Sequence, residues 1–149
     1  MNYNENPQSS ASQCAKIRAW LLGGNKPTSR KTMKRRHEES ELQRNCVMWF
    51  RLQYPNLRLN LFAVPNGGAR TPIEGAIMKG EGVTAGVSDL ILLFPAHGYH
   101  ALCIEMKTAK GIQRPTQCQW QRAVEATGNK YAIVRSFDEF ASLIRWYLQ

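Results

Sequence analysis

With 149 residues, 43% of them apolar, and a mean hydropathy of -0.43, the chain suits one domain with a real core and a modest tail. No apolar run approaches the ~20 residues of a membrane span. The polar start MNYNENPQSS lacks the apolar stretch of a secretion signal, and Cys14, Cys46, Cys103 and Cys118 show no C-x-x-C pairing, so a reduced, cytoplasmic protein is expected rather than a disulfide or zinc framework.

The net charge of +9 is uneven, because residues 1–36 hold eight basic residues against the single acid Glu5. The segment RKTMKRR, with Lys34, Arg35 and Arg36, therefore reads as a flexible basic arm over 1–36, attached to a nearly neutral domain over 37–149. Such arms favour polyanions through counterion release; a solvated tail without a partner is the plainer alternative. Within the arm, CAKIRAWLLGG can form a short amphipathic helix stopped by Gly23-Gly24. A helix follows from Glu38 to Tyr54, with Leu42, Cys46, Trp49, Phe50 and Gln53 as its stripe and Pro55 at its end. LRLNLFAV (57–64) reads as a strand closing at PNGG, where Asn66-Gly67 supplies turn chemistry. TPIEGAIMKGEG (71–82) reads as a helix with Thr71 as N-cap and Pro72 in its first turn.

Two strands, VSDLILLF (87–94) and YHALCIEMK (99–107), are joined by PAHG. Both are continuous apolar runs, the pattern of a sheet covered on both faces. A helix from Pro115 to Thr127, stopped by Gly128, leads to the strand KYAIVRS (130–136). Ser136 and Glu139 then form a capping box for a last helix carrying Phe140, Leu143, Ile144, Tyr147 and Leu148. The order implies an α/β architecture, a mixed four-stranded sheet flanked by helices.

Charged residues interrupt the two apolar strands. If these strands pair antiparallel about His97, Asp89 lies opposite Glu105, with Cβ atoms ~5 Å apart. Two like charges so close are unfavourable unless a proton or a cation lies between them. A hard divalent cation such as Mg²⁺ or Mn²⁺ accepts oxygen ligands in this arrangement. Lys107, on the same face, would point at whatever the metal holds. In the helix over 38–54, ~100° per residue puts Glu39 within about 60° of Leu42, Cys46, Phe50 and Gln53, and Glu41 nearly opposite. Glu39 is thus a third candidate, with Gln43 sharing its face. The plainer alternatives are a favourable charge at a helix N-terminus for Glu39 and an ordinary surface ion pair for Glu105 and Lys107. GEGVTAG lacks the P-loop pattern, His37, His97 and His100 are dispersed, and Trp120, Trp146 and Tyr147 read as core.

ESELQ (39–43), VPNGGAR (64–70), GVSDLILL (86–93), CIEMKTAKG (103–111) and PTQCQW (115–120) together resemble the VRR-NUC (virus-type replication-repair nuclease) domain of the PD-(D/E)XK nuclease superfamily. The resemblance covers residues 38–149 and departs from the family pattern at Ser88, where proline usually precedes the aspartate. It implies a restriction-endonuclease-like core and Mg²⁺- or Mn²⁺-dependent hydrolysis of DNA phosphodiesters. Asp89, Glu105 and the Met106 carbonyl would hold the metal, with Glu39 joining directly or through water. Lys107 would orient or deprotonate the attacking water and stabilise phosphate charge. Gln117 would support the lysine or the phosphate. Asn66, Gly67, Gly68 and Arg70 would contact the DNA backbone, although a bare hairpin turn explains the same residues. The resemblance further implies branched or junction DNA as substrate, a homodimer, and a bacterial or phage origin. A non-catalytic DNA-binding module of this fold and a sequence-specific restriction-type endonuclease are the alternatives.

Overall fold

The structure, a computed structural model, describes residues 29–65 and 71–149. Helix α1 (Ser29–Gln53) leads through a 3₁₀ turn (Pro55–Leu57) to β1 (Leu61–Ala63) and α2 (Pro72–Gly80). The hairpin strands β2 (Leu90–Leu92) and β3 (Leu102–Met106) follow, then α3 (Pro115–Ala126), β4 (Lys130–Val134) and α4 (Phe137–Tyr147). The sheet order is β1-β2-β3-β4, antiparallel except for the β3·β4 pair. A crossover through α3 is what a parallel neighbour requires. The expected order of elements and the mixed four-stranded sheet are both present.

Side chains alternate across a strand. Leu90, Leu92, Leu102, Ile104 and Met106 turn to one face, where Cys46 and Phe50 of α1 and Phe140, Ile144 and Tyr147 of α4 complete the core. The other face presents Cys103, Glu105 and Tyr131, with Trp120 of α3 set edge-on to Tyr131, ring centroids 6.1 Å apart. Covered on both sides, β3 is buried at every position. Leu90 pairs with Ile104, and Leu92 with Leu102. One step further along this register, Asp89 faces Glu105, as the pairing about His97 requires. His97 and Gly98, both at positive φ (52° and 79°), make the primed two-residue turn that right-twisted strands favour.

The elements differ from expectation at their ends. Helix α1 starts at Ser29 rather than Glu38. Lys, Arg and Met are good helix formers and no breaker separates Ser29 from Gln53, so the helix takes in residues 29–36 as well. The strands are shorter than their apolar runs. After Pro55–Leu57 the chain is still turning, with Asn60 N–H on Leu57 O at 2.9 Å. Thr71 and Glu74 form a full capping box on α2. On α4 the box is displaced: Ser136 Oγ accepts from Glu139 N–H at 3.2 Å, but Glu139 Oε2 accepts from Arg135 N–H at 2.7 Å. Cys46, Cys103 and Cys118 are buried. Tyr147 is core, whereas Trp146 is partly exposed and stacks on His97, centroids 4.7 Å apart. Among the described residues, no helix is long and apolar enough to cross a membrane. The helix expected at CAKIRAWLLGG and the turn at Asn66-Gly67 lie outside the described residues.

Candidate active site

Four elements converge where β3 ends. Strand parity turns Glu105 toward the α3 face, and its side chain is fully buried. Its Oε1 accepts from Lys107 Nζ at 2.6 Å and from the side-chain amide of Gln117, while Oε2 accepts from Tyr131 Oη at 3.4 Å. Across the hairpin, Asp89 Oδ2 accepts from Met106 N–H at 2.8 Å, and the carboxyl lies within hydrogen-bonding reach of Glu105. Ser88, in the place of the family's proline, is buried and its Oγ donates to Leu90 O at 3.1 Å, bracing the same backbone. From α1, Glu39 Oε1 accepts from Thr108 N–H at 3.3 Å. Seven residues separate Glu39 from the core residue Cys46, about 10 Å along the helix, so the same stripe runs from the core to the strand end.

Two local devices aim these groups. Gln117 Oε1 accepts from Arg114 N–H at 2.8 Å at the start of α3, which leaves its amide nitrogen directed at Glu105. Gly86, at φ +88°, lies so close to α3 that a Cβ there would sit 2.3 Å from Thr116 O. Only glycine lets the segment leading to Asp89 lie against the first turn of α3.

Burial, then the charge of Asp89, pushes the Glu105 carboxyl up to about 7 against the pull of Lys107. Burial also raises Asp89, although Met106 N–H, Lys107 and Arg114 pull it down. Both shifts favour a proton on the pair, one of the two ways, proton or cation, by which sequence reasoning relieved its repulsion. Among the described residues, no three His, Cys, Asp or Glu side chains form a metal-holding group. A closed cage is not required: Mg²⁺ is usually held by one or two carboxylates, with water and substrate phosphates completing its shell. Two facing carboxylates, hard oxygen donors whose protonation a cation would replace, fit such an ion.

Glu39, Asp89, Glu105, Lys107 and Gln117 are thus brought together. The Met106 side chain is in the core, while its N–H bonds Asp89. Lys34 is exposed on α1, and the side chains of Arg35 and Arg36 lie outside the described set, as do Asn66, Gly67, Gly68 and Arg70. Sequence reasoning missed Tyr131 and Arg135. Arg135 donates to Thr108 O at 2.8 Å and to Gly111 O at 2.7 Å, closing the loop after Lys107. The signal for Tyr131 is its pairing with Cys103, two residues before Glu105 on the same face, which appears only once β4 is set parallel to β3.

No family profile and no curated protein matches the sequence. Among solved structures, a "VRR_NUC domain protein" is similar at 26% identity with a TM-score of 0.65, over 74% of this chain and 87% of that one. With the mixed sheet, its flanking helices and this match together, the chain has the VRR-NUC fold, within the PD-(D/E)XK nuclease superfamily.

Proposed function

We propose that the protein is a metal-dependent DNA endonuclease that hydrolyses phosphodiester bonds at the Asp89–Glu105 pair and prefers branched or junction DNA. The observation that carries this reading is the buried Glu105, facing Asp89 and joined to both Lys107 and Gln117. A group that only binds phosphate gains nothing from two carboxylates beside it, whereas a hydrolase needs them.

Asp89, Glu105 and the Met106 carbonyl would hold Mg²⁺ or Mn²⁺, which supplies Lewis acidity toward the phosphate and a more acidic water. The protein's own groups do the positioning. Gln117 fixes the Glu105 carboxyl from α3, and Asp89 is fixed by Met106 N–H, so neither carboxyl must reorganise when DNA arrives. Lys107, 2.6 Å from Glu105 Oε1, directs its ammonium to where charge grows on the phosphate and orients the attacking water. Glu39 holds the backbone at Thr108, directly after the lysine, and has a second oxygen for solvent or the cation. Asn66, Gly67, Gly68, Arg70 and the basic residues Lys34, Arg35 and Arg36 supply phosphate contacts in this reading. Preference for branched DNA and a homodimeric state rest on the family resemblance.

The test is purified protein with end-labelled linear, flap and four-way-junction DNA in Mg²⁺, Mn²⁺ or EDTA. Cleavage in either metal, none in EDTA, and faster cutting of flap or junction are expected. Absence of cleavage on every substrate in both metals would overturn the reading.

A further inference from the structure

Beside the acid cluster lies a cleft of about 290 Å³, bounded by α2, the segment 83–87 and the first turn of α3. Its walls include Gly75, Lys79, Thr84, Arg114, Thr116 and Gln117, and among the described residues no acidic one lines it. Its charge is therefore opposite to that of the neighbouring Asp89 and Glu105. Gln117 belongs to both, facing the cleft while its amide bonds Glu105. The shape is preformed. Gly86 fixes the floor against Thr116, and Val83 N–H on Met78 O at 2.9 Å ties the segment to α2. Gly75 has open space where a Cβ would be, so the helix presents no side chain at that point in the wall.

We infer that this cleft seats the sugar–phosphate of the nucleotide next to the scissile phosphate, with Lys79 and Arg114 gripping the phosphate. The volume is at the small end of the ~300–1,000 Å³ typical of ligand sites, enough for one backbone unit and too small for a base pair. Two exposed cations line it, Lys79 on α2 and Arg114 at the start of α3, and a planar guanidinium suits the oxygens of a phosphate. The positive N-terminal end of α3 adds to the same potential. A strand held here passes Gln117 and then reaches the carboxylate pair, which gives the reaction a direction along the backbone. The inference rests on the nuclease reading for what lies beside the cleft, but DNA binding tests it without turnover.

The experiment measures DNA affinity by fluorescence anisotropy in Ca²⁺ across a salt series, and cleavage in Mg²⁺ alongside. The variants are Gly75→Leu, Lys79→Gln and the control Arg58→Gln. Gly75→Leu fills the cleft from a helix position with free space, and exchanging glycine within a helix favours folding. Arg58 precedes β1 at the opposite end of the sheet from the acid pair. Gly75→Leu and Lys79→Gln are each expected to weaken DNA binding five- to tenfold. Lys79→Gln should also flatten the log–log salt slope by about 0.9, one phosphate's worth, and Arg58→Gln should stay within twofold of wild type. Affinities within twofold of wild type for both cleft variants overturn the inference, whether or not the wild type cleaves. The expected affinity losses in a protein that cleaves nothing would sink the nuclease reading and leave the cleft assignment standing.

Discussion

Glu105 is where burial and chemistry conflict most, and the conflict is measurable. Its carboxyl holds a proton up to about 7 in the folded protein against 4.5 in the open chain, with burial the largest cause. Between those values the folded state binds more protons than the unfolded one. Stability that is fully present below about 4.5 is therefore lost as pH rises through about 7, by on the order of 3 kcal/mol. Asp89 shifts in the same direction and adds to the loss. Thermal melts without metal should show wild type losing more stability between pH 5 and 8 than Glu105→Gln, with Mn²⁺ restoring the difference. Equal pH dependence in the two proteins would mean the pair is not the strained element. Lys107→Ala should lose cleavage while binding Mn²⁺ and DNA like wild type, because its ammonium acts on charge that appears during the reaction. Loss of Mn²⁺ binding by calorimetry would make the lysine structural instead.

At the scale of elements, the site depends on helix phase and on a close approach at a glycine. Glu39 reaches Thr108 N–H while Glu41 is exposed. Glu39→Gln should therefore reduce cleavage at least tenfold more than Glu41→Gln in the same assay, and equal effects would refute the phase. Gly86→Ala should cost about 2–4 kcal/mol in denaturant unfolding, combining positive φ with a clash against Thr116. Gly82→Ala, at φ +96° but with open space, should cost only about 1–2 kcal/mol. Much of this was legible in the sequence. Helical phase singled out Glu39, and the hairpin's short connection set Asp89 opposite Glu105. Tyr131 and Arg135 were not legible, because the register of β4 on β3 is set by how α3 packs and not by any nearby turn. The start of α1 was hidden as well: a basic run has the same low hydropathy in a helix as in a tail.

For the whole molecule, the start of α1 relocates the charge. Five of the eight basic residues within 1–36 (Arg30, Lys31, Lys34, Arg35 and Arg36) belong to α1, on the ten residues, about 15 Å, that precede Glu39. Deleting residues 1–28 should leave the salt dependence of DNA binding nearly unchanged. Replacing those five with Gln should reduce the log–log slope by up to about 4.5, roughly 0.9 for each phosphate no longer neutralised. A larger effect from the deletion would return the phosphate binding to the preceding segment. All these expectations assume that the paired carboxylates are the catalytic centre, and one comparison tests that directly. Cleavage of junction DNA in Mg²⁺ is measured for wild type, Asp89→Ala and Glu105→Ala, each checked for melting temperature and for DNA affinity in Ca²⁺. Both variants should fold and bind DNA as wild type does, with cleavage down about a thousandfold or more; turnover at the wild-type rate in either would contradict the assignment.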